Sequence, residues 1–174
     1  MTRIAALLLC IVTLLAQGCR HSSPDSIPPY RETIVAKMDI EVEDGDTFKW
    51  RGQSVRMLGI DCAETASPHH KGDQEPWGSR AEDYLRSQIA AARELAVVRI
   101  EQPDRYGRWL AYLIADGENV NAKLISEGLA YETISHYGKQ GLDRYAESCV
   151  EAARTAPKPQ FEPPHEFRKR NRNN

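Results

Sequence analysis

Three short segments of the chain carry side chains that could do chemistry. They are Asp44-Gly45-Asp46-Thr47, the stretch from Arg56 to Glu64, and the stretch from Asp104 to Tyr112. Carboxylates in such segments can hold a hard cation or transfer a proton, and arginines can bind phosphate oxygens with a planar fork of donors. Taken singly, each segment is more simply explained as a turn or a solvated strand end. The information therefore lies in how the three occur together.

The elements around these segments are predicted to be short strands. Residues 33–42, 47–50 and 54–58 are rich in β-branched and aromatic residues, and Asp44-Gly45 is typical of a hairpin turn between the first two. Two later segments return to strand character, residues 95–100 and 108–115. Tight turns separate the first three strands, so the early part of the chain predicts a meander.

Three helices are predicted between and after these strands. Residues 77–94 place apolar side chains three or four positions apart, which indicates one apolar helix face: Ala81, Tyr84, Leu85, Ile89 and Ala92. Residues 119–127 form a second helix that ends at Gly128, and residues 143–154 form a third. Five short strands with a helix after the third are compatible with a small Greek-key barrel. The predicted fold class is α+β, a five-stranded OB-fold Greek-key β-barrel with three α-helices.

In order and spacing, the three segments resemble the motifs of the staphylococcal nuclease (thermonuclease) family. Its members combine Asp-Gly-Asp-Thr, an arginine shortly before Asp-x-x-Glu, and Asp-(Lys/Arg)-Tyr-Gly-Arg-x-Leu-Ala-Tyr. This chain contains all three in that order, and the likeness extends over residues 33–154. The resemblance implies an OB-type barrel and a Ca²⁺-dependent endonuclease that hydrolyses phosphodiester bonds of DNA and RNA.

The resemblance implies a metal site and a general base. Asp46, Asp61 and the backbone carbonyl of Cys62 match the family's metal ligands. Such hard oxygen donors suit Ca²⁺ rather than a soft metal. Glu64 matches the general base, which positions and deprotonates the water that attacks phosphorus. Asp44 is interpreted as support for the turn.

The resemblance also implies the residues that bind substrate. Arg56 and Arg108 match the family's two phosphate-clamping arginines, which stabilise the charge that develops on the phosphoryl oxygens. Arg105 and Tyr106 match its nucleotide-contacting pair. Because a lysine is a point charge rather than a fork, it would replace neither clamping arginine well.

The chain departs from the family pattern around the expected base-binding site. Thr133 or Ile134 stands at one of two positions where aromatic side chains sandwich the base, and Tyr137 fits the other only with a shift of one residue. Ala63 replaces a usual proline in the loop that holds Asp61 and Glu64. Stacking is worth about 1–3 kcal/mol per base, so we expect a weaker grip on substrate with the chemistry unchanged.

The neighbouring histidines His69 and His70 raise the question of a zinc site. They are adjacent and lack further ligands at the spacing of a zinc site. They are therefore expected to be exposed loop residues.

Residues 1–18 predict a signal peptide. Arg3 precedes a mostly apolar run over residues 4–16, which is shorter than the about 20 residues of a membrane span. The following segment, Leu15 to Cys19, resembles a bacterial lipobox, in which Cys19 would be lipidated. Because Ala16 stands where a leucine is usual, ordinary cleavage at the same bond remains the alternative.

These features place the protein in the cell envelope as an exported monomer. Its membrane contact would be a lipid on Cys19, in the outer membrane if the cell is Gram-negative; without the lipid it would be periplasmic or secreted. Lipidation would leave Cys62 and Cys149 as a pair in an oxidising compartment. Whether they form a disulfide depends on their Cα separation, which the sequence does not give.

The remaining boundaries follow from composition. Residues 19–31 are interpreted as a tether, residues 32–155 as the nuclease-like domain, and residues 156–174 as a disordered proline-rich and basic tail. The cations of the tail, from Arg168 to Arg172, either tether nucleic acid electrostatically or only keep the chain soluble.

The composition excludes several protein classes and leaves two function classes. With 41% apolar and 28% charged residues, the chain is not collagen-like, coiled-coil or wholly disordered. Residues 20–155 contain 17 basic and 23 acidic residues, and their formal net charge of −6 argues mildly against tight non-specific binding to nucleic acid. The competing hypothesis is a catalytically inactive OB-fold surface lipoprotein that binds nucleic acid or a protein partner. The metal carboxylates favour the enzyme, because empty carboxylates repel phosphate.

Overall fold

The computed structural model describes residues 30–68 and 70–172. The predicted signal peptide, Cys19, most of the predicted tether and His69 lie outside the described residues. Within the described ranges the chain forms nine β-strands: β1 (Tyr30–Val35), β2 (Ile40–Val42), β3 (Thr47–Trp50), β4 (Gln53–Met57), β5 (Ile60–Cys62), β6 (Leu95–Ile100), β7 (Trp109–Ala115), β8 (Glu118–Asn119) and β9 (Ala130–Glu132).

Five α-helices and a short 3₁₀ helix, Lys37–Asp39, accompany the strands in the described part of the chain. The α-helices are α1 (Trp77–Ala91), α2 (Val120–Ser126), α3 (Ile134–Tyr137), α4 (Asp143–Thr155) and α5 (Pro164–Arg170). The mixture confirms the α+β class and is consistent with the predicted OB fold. The three predicted helices correspond to α1, α2 and α4.

The large sheet is curled, and the chain connectivity requires it. Its strand order is β1-β6-β7-β4-β3-β2, with β8 added beside β7, so β1 and β2 lie at opposite ends of the path. In a flat sheet the two end strands would lie roughly 24 Å apart. The five residues that lead from Val35 to Ile40 can span at most about 17 Å. The sheet must therefore curl until its ends approach each other.

The same connection corrects one strand prediction. Residues 33–42 were expected to form a single strand, but the 3₁₀ helix Lys37–Asp39 divides them. The first part pairs with β6 and the second with β3. Alternation of apolar and polar residues continues across the bend, so the pattern alone does not mark it.

The strand ends that carry the candidate residues meet at one side of the curled sheet. Strand β4 runs antiparallel to β3 and parallel to β7, with Arg56 opposite Thr47 on one side and Leu110 on the other. Strand β5 leaves the large sheet and pairs with β9, placing Asp61 opposite Tyr131. Arg56 and Asp61 are thus separated by a single turn at Leu58-Gly59.

The core fills the curled sheet and the space under the helices. Phe48, Val55, Tyr112 and Leu113 from the strands are fully buried, together with Leu85 of α1. The apolar face predicted for the first helix is confirmed: four of its five residues are buried, and Tyr84 is partly buried against the core. Asn119 caps the N-terminus of α2, and its side chain accepts hydrogen bonds from the amides of Asn121 and Ala122.

The prediction that residues 156–174 are disordered is wrong over the part that the structure describes. Phe161 and Phe167 are buried, and α5 begins with Pro164 at a position that suits proline in a first helical turn. Phe161 contacts the rings of Trp77 and Tyr131. The polar composition of this segment resembles that of a disordered tail, but two buried aromatic rings anchor it to the domain.

Two further observations concern the cysteines and the membrane. Cys62 and Cys149 are buried free thiols, so the structure shows no disulfide between them. Burial raises the pKa of both thiols, which keeps them neutral.

Across residues 30–68 and 70–172, none of the helices combines the length and apolar character needed to cross a membrane.

Candidate active site

Asp46 is fixed in a tight turn between β2 and β3. Asp44 accepts a hydrogen bond from the Asp46 amide at 2.9 Å, so its predicted role in the turn is seen directly. A Cβ atom on Gly45 would lie 2.5 Å from Cβ of Ala81 and 2.9 Å from Cβ of Cys62, so only glycine fits between α1 and β5. The Asp46 carboxylate is 2% exposed and accepts a hydrogen bond from the Cys62 amide at 2.8 Å.

Arg56 joins the two predicted metal carboxylates. Its guanidinium forms an ion pair with Oδ1 of Asp46 and another, at 2.7 Å, with Oδ1 of Asp61. Both aspartates are buried, and the Arg56 side chain is 20% exposed. A single guanidinium therefore lies where two buried acids converge, and its charge offsets their repulsion.

Glu64 follows β5 and is held at its backbone and at both carboxylate oxygens. Its amide donates to Oε1 of Gln74 at 3.0 Å. Nε2 of His70 lies 2.9 Å from Oε2, and a guanidinium nitrogen of Arg168 contacts Oε1. Since a carboxylate only accepts, Nε2 is the nitrogen of His70 that donates. Nδ1 of His70 has no hydrogen-bond partner among the described residues.

The environment of His70 corrects the prediction of an exposed loop histidine. His70 is 5% exposed, and the ring of Phe167 lies edge-on against it at 5.6 Å between centroids. Among the described residues, which do not include His69, no group of three or more His, Cys, Asp or Glu side chains is arranged to hold a metal ion.

Arg168 belongs to this cluster, although the sequence analysis placed it in a disordered basic tail. It approaches from α5 and donates to both carboxylate oxygens of Asp61 at 3.0 Å while contacting Glu64. Burial disfavours its charge, but the hydrogen bonds and charges of Asp61 and Glu64 outweigh burial and raise the pKa of Arg168 above its ordinary value. The signal in the sequence was the pair of phenylalanines, Phe161 and Phe167, in a segment otherwise read as solvated.

Arg108 is held apart from the carboxylates by its own partner. The loop before β7 folds around Asp104, whose carboxylate accepts from the amides of Tyr106 and Arg108, each at 2.9 Å. The same carboxylate pairs with the Arg108 guanidinium at 2.8 Å. Arg108 therefore pairs with Asp104 rather than with Asp46, Asp61 or Glu64, and it lines the cavity beside them.

Tyr106 lies beside Arg108 on the surface. Its ring is 68% exposed, and Arg105 donates to its hydroxyl at 2.7 Å. The guanidinium carbon of Arg105 lies 4.7 Å from the ring centroid and that of Arg108 lies 5.5 Å from it. The predicted nucleotide-contacting pair thus forms one exposed unit with Arg108.

One cavity of about 330 Å³ lies beside the cluster. Arg56, Arg108 and Arg168 all line it, together with Asp61. Tyr137 stands at its edge, 65% exposed. The cavity wall also contains Thr133 and Ile134, the two residues at the non-aromatic position. A cavity lined by three guanidinium groups and the ring of Tyr137 is suited to an anion that carries a flat group.

The donor set at Asp46 and Asp61 fits a hard cation. Two buried carboxylates repel each other and need a positive charge between them, and here the Arg56 guanidinium supplies it. The oxygens of two aspartates and a backbone carbonyl are the donors that Ca²⁺ and Mg²⁺ prefer. The carbonyl of Cys62 as a ligand stays a prediction.

A family match that covers most of this chain identifies the family to which it belongs. The family described as Staphylococcal nuclease homologue matches residues 54–159. The thermonuclease of Staphylococcus intermedius is 31% identical over 136 residues, which cover 74% of this chain and 78% of that protein. The chain belongs to the staphylococcal nuclease family.

The alignments with other relatives cover a smaller share of those proteins. The thermonuclease of Staphylococcus hyicus is 36% identical over 95 residues, or 52% of this chain and 55% of that protein. Endonuclease YncB of Bacillus subtilis (strain 168) is 35% identical over 92 residues, or 50% of this chain and 43% of that protein. This chain thus aligns with about half the length of these two relatives.

Membership of the staphylococcal nuclease family supports classification among nucleases, and the family is generally metal-dependent. The family match begins after Asp46 and ends before α5. The site of this family member therefore contains an acid from before the matched region and an arginine from beyond it.

Proposed function

We propose that the protein is a Ca²⁺-dependent endonuclease that hydrolyses phosphodiester bonds of DNA and RNA. The observation that carries the proposal is the convergence of Asp46, Asp61 and Glu64 on shared arginines beside one cavity. The relatives named thermonuclease and endonuclease support the same conclusion.

Asp46, Asp61 and the carbonyl of Cys62 would hold the cation. When bound, the cation supplies positive charge that neutralises a phosphoryl oxygen. Arg56 lines the cavity, so its guanidinium can turn from the aspartates to phosphate oxygens with little displacement. Two parallel N–H donors then bind the phosphate in a fixed orientation.

Glu64 is the proposed general base. Its carboxylate accepts the proton of a water that attacks phosphorus from the side of the cavity. The amide contact to Gln74 and the Nε2 contact from His70 fix its position. Each carboxylate oxygen has two acceptor sites, so these contacts leave room for a water.

Arg108 also lines the cavity and is proposed to bind the phosphate there. Asp104 holds its guanidinium, and a donor that is already oriented needs no rearrangement as charge develops on the phosphate. Arg105, Tyr106 and Tyr137 extend this surface and are proposed to contact the neighbouring nucleotides.

Cleavage assays with the full chain test the proposal. We expect plasmid DNA, single-stranded DNA and RNA to be cleaved with Ca²⁺ and to remain intact with a chelator. Glu64→Gln should lower the rate by about 10²–10⁴-fold because it removes the proton acceptor. The matched control is Glu151→Gln on the exposed face of α4, which should cleave like wild type.

Two results would overturn the proposal. One is cleavage that continues at full rate in chelator, and the other is a Glu64→Gln variant as fast as wild type. Binding of nucleic acid without any cleavage would instead support the inactive surface-lipoprotein hypothesis.

We further propose that the protein is an exported monomer anchored by a lipid on Cys19. The apolar run before Gly18-Cys19 supports this. Cells expressing the full chain and fed a radiolabelled fatty acid should incorporate label into wild type but not into Cys19→Ser. Equal labelling of both would exclude lipidation at this residue.

A further inference from the structure

Arg168 reaches the carboxylate cluster from outside the region that the family match covers. The match ends at residue 159, and α5 begins at Pro164. Nevertheless Arg168 forms a two-pronged contact with Asp61 at 3.0 Å on both nitrogens and also contacts Glu64. This is the geometry with which a guanidinium binds a pair of anionic oxygens.

The position of Arg168 is built rather than incidental. Buried Phe167 packs against the ring of His70, and the carbonyl of Phe161 accepts a hydrogen bond from the Tyr131 hydroxyl at 2.6 Å. The side chain of Gln74 donates to the carbonyl of Glu162 at 2.7 Å, while its oxygen accepts from the Glu64 amide. One glutamine therefore links the C-terminal segment directly to the backbone of the general base.

The charges around the cluster indicate what Arg168 is for. Three carboxylates, those of Asp46, Asp61 and Glu64, face the guanidinium groups of Arg56 and Arg168. The cluster is thus nearly neutral before any ligand binds. When a divalent cation pairs with the aspartates, the guanidinium groups lose their partners and the cavity gains net positive charge, as a phosphodiester requires.

The cavity gives the released guanidinium a place to act. Arg168 lines the same cavity as Arg56 and Arg108, and its side chain is 38% exposed, so it can reach a ligand there. We propose that Arg168 is a third phosphate-binding arginine, which pairs with Asp61 and Glu64 in the free protein and with the substrate phosphate in the complex.

This inference rests on the proposed nuclease function and adds a substrate-binding residue to it. It also predicts competition in the free protein, because Arg168 occupies oxygens of Asp61 that a cation would use. Removing the side chain should therefore weaken substrate binding and strengthen Ca²⁺ binding at the same time. A residue with a purely structural role would not produce these opposite changes.

The test compares Arg168→Ala, Arg168→Lys and Lys169→Ala in the full chain. Lys169 is exposed on the same helix and carries the same charge, so it controls for the general attraction of a basic segment to nucleic acid. At saturating Ca²⁺, KM for a single-stranded DNA oligonucleotide should rise about tenfold or more in Arg168→Ala. It should rise less in Arg168→Lys and stay within about twofold in Lys169→Ala.

Ca²⁺ affinity provides the second reading. Calorimetric titration of Ca²⁺ without nucleic acid should show several-fold tighter binding to Arg168→Ala than to Lys169→Ala. If Arg168→Ala unfolds at a lower temperature than the Lys169→Ala control, Arg168→Lys, which keeps the charge, replaces it in both measurements.

The outcomes separate the two proposals. If the wild-type protein cleaves and Arg168→Ala has the same or a lower KM, Arg168 has only a structural role and the inference is overturned. If KM rises equally in Arg168→Ala and Lys169→Ala, the effect is bulk charge and the inference is also overturned. If wild type does not cleave at all in Ca²⁺, the nuclease proposal itself fails.

Discussion

At the scale of single residues, Arg56 carries the largest electrostatic burden in the site. It lies between two aspartates that are 2% and 5% exposed and that would otherwise repel each other. Removing one partner of a buried ion pair leaves uncompensated charge, which is more harmful than replacing the whole pair. The same guanidinium is proposed to bind phosphate, so its loss has both a structural and a functional consequence.

We expect Arg56→Ala to destabilise the metal-free protein by about 3–5 kcal/mol, because Asp46 and Asp61 lose their shared counter-charge. Added Ca²⁺ should restore much of the stability, since a cation can take the place of the guanidinium between the acids. Activity should stay low even then. The measurement is denaturant unfolding with Ca²⁺ and with chelator, with Arg51→Ala, an exposed arginine, as the control.

A midpoint for Arg56→Ala that is independent of Ca²⁺ would count against a cation site at Asp46 and Asp61. A variant as stable as wild type in chelator would show that the ion pairs of Arg56 contribute little to folding.

At the scale of secondary-structure elements, α5 connects the C-terminal segment to Glu64, the proposed general base. Phe167 covers His70, His70 contacts Glu64, and Arg168 on the next position reaches Asp61. Helix α5 has seven residues, too few to be stable alone in water. It is therefore held by its buried aromatic contacts rather than by its own hydrogen bonds.

We expect Phe167→Ala to release α5 from the domain while the curled sheet stays folded. A buried phenylalanine replaced by alanine costs about 3–5 kcal/mol in a core, which exceeds what the remaining contacts of a short surface helix can supply. Amide hydrogen exchange over residues 161–172 should become fast, and activity should fall toward that of Arg168→Ala. His165→Ala, on the exposed side of α5, is the control.

Unchanged protection of residues 161–172 in Phe167→Ala would show that α5 does not depend on this ring. Loss of protection in the strands as well would show that α5 is part of the main folding unit.

The elements differ in how well the sequence predicts them. Strand Thr47–Trp50 was predicted with its observed bounds because a hairpin turn precedes it and its side chains alternate. The apolar face of α1 could be predicted because its apolar residues recur every three or four positions. Strands β5 and β9 have three residues each, too few for a pattern, and they form only because distant segments meet.

At the scale of the whole molecule, the positions of the acids in the site could be predicted and the partners that hold them could not. Asp46, Asp61, Glu64 and Arg56 form one cluster, as the motifs imply. The contacts of His70 with Phe167 and of Arg168 with Asp61 form only because the C-terminal segment packs against residues about a hundred positions earlier in the chain. The two phenylalanines of this segment, 161 and 167, are too far apart to give a helical periodicity, so composition suggested disorder.

The same folding-back changes the meaning of the basic C-terminal end. A flexible tether would place its cations wherever nucleic acid lies, whereas α5 fixes Arg168 at the carboxylates and leaves Lys169 and Arg170 exposed. Deleting residues 167–174 would therefore remove a buried ring and a site residue together, and a rise in KM after that deletion would not identify a tether. Single substitutions on α5 distinguish the two roles.

The most direct test of the central claim is Ca²⁺ titration of oligonucleotide cleavage by the full chain and by Asp61→Asn. The account predicts that wild type cleaves with a saturable dependence on Ca²⁺. The asparagine variant should need a much higher Ca²⁺ concentration, since it lacks one of the two carboxylates proposed to hold the cation. Identical Ca²⁺ dependence in the two proteins, or cleavage by wild type without divalent cation, would contradict it.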